Sequence, residues 1–230
     1  MCWSAEVSVG FGLIHVAAML LTRRASYKIF CSFYALMEFY QAAQWMWGDV
    51  GSCTPWNSQV TFVAYFLIWV QPLLFVAIGK AEGLKLGHME IAAQMTYIMA
   101  MLSLALGLSK APTYSVPDSS FGNVTCTTIG PHGHLAWMFS PITVAYQPTH
   151  FVYVMLIWVT CMKYPPQLQL IKWGWAGTLL ISICSVGVGA ELPAVWCGSS
   201  VLVSVPIAIY ELITRVQRLK EERATRNVQG

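Results

Sequence analysis

The sequence predicts an all-α polytopic membrane protein, a bundle of seven transmembrane helices with its N-terminus outside and its C-terminus in the cytoplasm. Three observations carry this expectation. Of 230 residues, 57% are apolar and only 10% charged, whereas a soluble chain of this length needs charged surface on most of its helices. Seven apolar stretches stand out, Val9–Leu21, Ile29–Trp47, Ser58–Gly79, Met89–Leu108, Pro141–Met162, Trp173–Ala190 and Ser199–Thr214. Most approach the ~20 residues that cross a hydrocarbon core. Finally, of 13 Lys and Arg residues only Lys110 falls outside the cell under this orientation, and the reverse orientation inverts that ratio.

The first stretch has no basic residues before it and Arg23-Arg24 after it, so it reads as a span and not as a cleaved signal peptide. The chain divides into a transmembrane domain over 1–214 and a short cytoplasmic tail over 215–230, expected to continue the last helix briefly and then fray. The outer loop over 109–140 is long and rich in Pro and Gly, which suits either a lid or a decorated surface. Within it Asn123-Val124-Thr125 is a glycosylation acceptor. Cys2, Cys53, Cys126 and Cys197 all map outside, where disulfides persist, and four cysteines allow three pairings. Cys53 with Cys126 is the favoured one, because it ties the second-to-third connection to the long loop. Cys31, Cys161 and Cys184 read as packing residues.

The second stretch carries the chemistry. As a helix it places Cys31, Tyr34, Glu38, Gln41 and Trp45 on one stripe, with Gln44 flanking it and Glu38 at mid-membrane. An ionisable group at that depth faces a bundle interior or a watery cavity. Pro72 and Pro148 each remove a helical hydrogen bond, and Gln71 and Gln147 stand beside them, able to satisfy the freed carbonyls. Ser140 reads as an N-cap before Pro141. His150 lies just past the second kink and is the expected partner of Glu38; Gln94 adds an amide from the fourth helix. The expected ligand-binding set is therefore Glu38, Gln41, Gln44, Gln71, Gln94, Gln147 and His150. The same amides also serve as bonds between helices in membrane bundles.

Other polar features are read more simply. His132-Gly133-His134 has the spacing of a metal-binding pair but no third ligand at a matching spacing, so no metal site is expected. Glu191 is expected at the wet outer end of the sixth span, and Glu211 beside Arg215 at i+4. Trp45, Trp47, Trp56, Trp137, Trp173 and Trp175 are expected in interfacial belts. The expected partners are the lipid bilayer and a small-molecule or ion ligand, with a homo-oligomer or a larger membrane complex as a further partner. No basic face offers itself to nucleic acid.

Met1-Cys2-Trp3-Ser4, Glu38-Phe39-Tyr40-Gln41, Cys53, Cys126 and His134-Leu135-Ala136-Trp137 together resemble a family of uncharacterised seven-span membrane proteins from bacteria, eukaryotic microbes and large DNA viruses, whose members begin Met-Cys-aromatic-Ser. That resemblance implies no activity or cofactor. A retinal protein is excluded, since Ser199–Thr214 contains no Lys for a Schiff base. Nor is the three-plus-one-plus-three repeat of small sugar transporters visible. Three functions remain in order: a small transporter or channel-like carrier with Glu38 and His150 as protonatable groups; an intramembrane enzyme acting on a lipid or isoprenoid, with Glu38 as acid or base and Tyr34 and His150 assisting; and a structural subunit of a membrane complex.

Overall fold

The computed structural model describes residues 4–110, 125–139 and 150–229. Helices dominate them: α1 (Ala5–Leu21), α2 (Ala25–Trp47), α3 (Pro55–Ala81), α4 (Gly87–Lys110), α5 (His150–Met162), α6 (Gln169–Val186), α7 (Leu192–Ser199) and α8 (Val201–Gln229). Ser4 caps α1 by accepting from the Val7 amide, and Thr54 caps α3 by accepting from Asn57, with Pro55 at its first turn. Gly187 ends α6 at φ 71°, a conformation that favours glycine.

Contacts at the two ends show that successive helices alternate in direction. At one end Arg24 pairs with Glu82 at 3.6 Å, and the Tyr27 hydroxyl donates to the Gln167 carbonyl at 2.6 Å. These join the α1–α2, α3–α4 and α5–α6 connections. At the other end Cys53 and Cys126 form a disulfide, and the Trp137 amide donates to the Ala190 carbonyl at 3.0 Å.

Among the described residues two stretches are long and apolar enough to cross a membrane, Pro55–Ala81 and Leu192–Arg218, while Ala5–Leu21 and Phe151–Met162 are apolar but shorter. The described part of the chain buries polar groups and exposes apolar ones. Glu38, Gln41, Gln71 and His15 are enclosed, whereas Leu20, Leu36, Ile91, Phe151 and Leu180 face outward. The interior is filled by an aromatic network in which Trp69 meets Tyr153, and Trp175 meets Trp196, edge to face.

Several expectations change. Within the loop over 109–140, strands β1 (Cys126–Ile129) and β2 (Leu135–Met138) pair antiparallel, Thr127 opposite Trp137. Alternation fails to reveal them because three of the four β2 residues are buried. The last stretch starts earlier than Ser199, as α7, then continues as α8 to Gln229, so the tail stays helical and does not fray. Cys197 consequently lies buried inside α7 and not outside. Trp137 and Trp175, expected in a belt, are core residues, while Trp47, Trp56 and Trp173 are exposed. Asn123, Ser140, Pro141, Gln147 and Pro148 lie outside the described residues.

Candidate functional site

Glu38 sits midway along α2 and is 1% exposed. On its own helix, one turn away, Gln41 donates to the carboxyl at 3.5 Å and also to the Ala194 carbonyl of α7 at 3.4 Å. Ser8 of α1 faces the carboxyl, and the Cys197 thiol of α7 is close enough to interact with it electrostatically. Ser8 Oγ is buried, without a hydrogen bond of ordinary geometry among the described residues. Polar atoms from two other helices therefore surround the acid. The expected His150 contact is not among them to report, because that side chain lies outside the described residues.

Toward the N-terminal end of α2, Tyr34 lies one turn before Glu38. Its hydroxyl donates to Gln71 Oε1 at 3.4 Å, and the Tyr153 hydroxyl of α5 donates to the same oxygen at 2.7 Å. Gln71 Nε2 points to Cys197 Sγ at 4.0 Å. Gln71 was expected to answer the carbonyl freed by Pro72, but it is held instead by two phenols and a thiol from three other helices.

A third layer contains His15 of α1. Its Nδ1 lies 2.7 Å from Ser204 Oγ and its Nε2 3.2 Å from Ser200 Oγ. Ser200 donates its only hydroxyl proton to the Cys197 carbonyl, so it accepts from Nε2–H; Nδ1 is then the basic nitrogen and accepts from Ser204. Cys31 Sγ lies 3.5 Å from Ser204 Oγ and completes the cluster. Beyond the His15 layer, at the C-terminal end of α1, Thr22 donates to Glu211 Oε1 at 3.1 Å, replacing the expected Arg215 pairing.

The end of the bundle that carries the Cys53–Cys126 disulfide is closed by the hairpin. Asn57 Nδ2 donates to the Thr127 carbonyl at 2.8 Å, and the Thr127 amide donates to Asn57 Oδ1 at 2.7 Å. Gln44 bridges onto this unit, donating to Thr127 Oγ1 at 3.0 Å and accepting from Trp137 Nε1 at 2.9 Å. Gln44 thus anchors the hairpin and does not reach the Glu38 layer. Glu191, expected wet, is 4% exposed and accepts from the His132 amide at 3.2 Å. Gly130 lets that carboxylate approach, since a Cβ there would overlap it. Burial lowers the pKa of the neighbouring His134.

Gln94 is the clear correction to the expected ligand set. It lies exposed on α4, on the face away from buried Ala93, Thr96 and Ala100, so it cannot converge with the others. Conversely, Ser8, His15, Tyr153, Cys197 and Ser204 join the buried polar set without having been expected there. Their shared signal is a polar residue isolated within an apolar helix.

Residues 4–219 match the family of unknown function DUF5765. The chain belongs to that family. A relative within reach of direct comparison is the uncharacterized protein R287 of Acanthamoeba polyphaga mimivirus, 31% identical over 230 residues that cover 91% of this chain and 95% of the relative. Membership therefore extends across α1 to the first part of α8, including every residue of the buried polar layers. No solved structure matches the chain.

Proposed function

We propose that the chain is a seven-span membrane protein, N-terminus outside, whose Glu38-centred interior binds or translocates a small molecule or ion. The observation that carries this reading is the enclosed carboxyl of Glu38, midway along α2 with polar groups of α1 and α7 around it. An ionisable group in a membrane bundle marks a ligand or ion pathway by default. The alternation of helix ends, the outward apolar side chains and the gathering of twelve of the 13 basic residues on one side support the seven crossings and their orientation.

Tyr27, Cys31, Tyr34, Glu38, Gln41 and Gln44 form a buried file along α2. From Tyr27 to Gln44 it extends ~25 Å at the rise of an α-helix, comparable with the hydrocarbon thickness. A merely structural amide needs one partner on a neighbouring helix; a polar file from one side to the other suits passage. Pro72 inside α3 and Pro206 inside α8 supply bends beside this file.

The test is the full chain reconstituted in vesicles, after native mass spectrometry of gently purified protein has identified bound small molecules. Glu38→Gln should abolish uptake or ion flux while leaving the fold intact. Unchanged flux, together with unchanged ligand retention, would overturn the reading. An altered assembly state as the sole effect would support a structural subunit instead.

A further inference from the structure

Ser8 and His15 on α1 and Thr22 at its C-cap are separated by seven residues, and so are Cys197, Ser204 and Glu211 on α7 and α8. On α2, Cys31 and Glu38 repeat the same step. Seven residues make about two helical turns, so each stripe keeps one face and advances ~10.5 Å per step. The three stripes meet layer by layer. Ser8 and Cys197 face Glu38; His15 meets Ser204, which is 3.5 Å from Cys31; Thr22 donates to Glu211 at 3.1 Å. A titratable group thus occupies each level of a column running from mid-bundle to the inner boundary.

We infer that the ion moved through this protein is the proton, passed from Glu38 through His15 to Glu211 along the seam between α1, α2 and α8. The inference rests on the reading of Glu38 as a transport site and adds the identity of the ion and its inward route. Sodium or potassium would need several oxygen ligands converging at one level, whereas each level here offers a single titratable group with hydroxyls or thiols beside it. Glu and His in series inside a membrane are the elements of a proton relay.

The hydrogen-bond directions at His15 suit the role. Nδ1 is the basic nitrogen and Nε2 carries the proton, each held by a serine hydroxyl. A proton released by the Glu38 carboxyl reaches Nδ1 through water and the Ser204 hydroxyl. Tyr34 stacks on the His15 ring at 6.0 Å, between the two levels. The resulting imidazolium keeps its Nε2 proton and gives up the Nδ1 proton through the Ser204 hydroxyl to water on the Glu211 side, which delivers it to the Glu211 carboxylate, and Glu211 releases it to the cytoplasm. One proton enters and one leaves, and every side chain returns to its starting state.

The experiment uses the full chain in lipid vesicles containing a pH-sensitive dye, with a potassium diffusion potential imposed by valinomycin. The wild-type chain should move protons with the potential, and potassium or sodium should not replace them. His15→Gln and Glu211→Gln should each slow the flux at least tenfold, Ser204→Ala several-fold, and Gln94→Ala not at all. If Glu38→Gln stops flux while folded His15→Gln runs at the wild-type rate, this route is overturned and the Glu38 site stands. If the wild-type chain carries a metal cation or a neutral solute without protons, the ion assignment fails. If Glu38→Gln changes no flux of any kind, the parent reading fails as well. Should His15→Gln not fold, nitrogen NMR of histidine-labelled wild-type protein decides: both His15 ring nitrogens should respond to pH where flux occurs, and invariant resonances there would overturn the relay.

Discussion

Replacing Asn57 by Leu should release the β1–β2 hairpin while leaving the helices in place. Asn57 is fully buried and satisfies both backbone groups of Thr127, accepting from its amide at 2.7 Å and donating to its carbonyl at 2.8 Å. Leu has the same branched skeleton, so the change removes the partners without opening a cavity. Each orphaned buried group costs ~1–3 kcal/mol, so losing both weakens docking by ~2–6 kcal/mol. At ~1.4 kcal/mol per tenfold, amide exchange over the hairpin should accelerate by about 30-fold or more. The Cys53–Cys126 disulfide keeps β1 tethered, so the effect should remain local. Hydrogen exchange read by mass spectrometry on the peptide covering 125–138 checks this, with an α3 peptide as reference. Acceleration below threefold would refute the claim that Asn57 holds the hairpin.

Gln71→Leu should lower the thermal midpoint in detergent, because the Tyr34 and Tyr153 hydroxyls lose their shared acceptor, a loss of ~2–5 kcal/mol. Tyr153→Phe should cost less, since only one hydroxyl is removed. Gly130→Ala should destabilise by ~1–3 kcal/mol because its Cβ would overlap the Glu191 carboxylate. Gly10→Ala, where a Cβ meets nothing, should be neutral or slightly stabilising in the same melt. Burial lowers the His134 pKa; Glu191 opposes this, while His132 and the N-terminus add to it. The folded hairpin therefore binds fewer protons than the unfolded one, and its stability is complete above the unfolded pKa of ~6.5 and declines as pH falls below it. Hairpin protection, taken relative to the intrinsic amide exchange rate at each pH, should fall on acidification through that range, and His134→Gln should flatten the response.

The α2 file is legible in the sequence because polar residues at helical spacing interrupt an otherwise apolar run. The disulfide is legible as the favoured pairing, Cys53 with Cys126, because it ties the second-to-third connection to the long loop, and that pair is formed. His15 is not legible: it is a lone His between Ile14 and Val16, and its partners Ser200 and Ser204 are 185 and 189 residues away. The hairpin is hidden for another reason, since its four-residue strands lie in a loop dense with Pro and Gly and β2 is buried at three successive positions, which erases alternation. Gln94 misleads because composition marks a polar residue without telling which way its helix face turns. Glu191 misleads likewise, since only the docking of the hairpin turn buries it.

Solid-state NMR on protein in lipid bilayers, labelled at Glu, Ser and Cys carbons, tests the enclosed acid most directly. Cross-peaks from the Glu38 carboxyl carbon to Ser8 and Cys197, with no magnetisation transfer to acyl-chain methylenes, are the expected result. Transfer from lipid methylenes to that carbon, without the Ser8 and Cys197 cross-peaks, would contradict it.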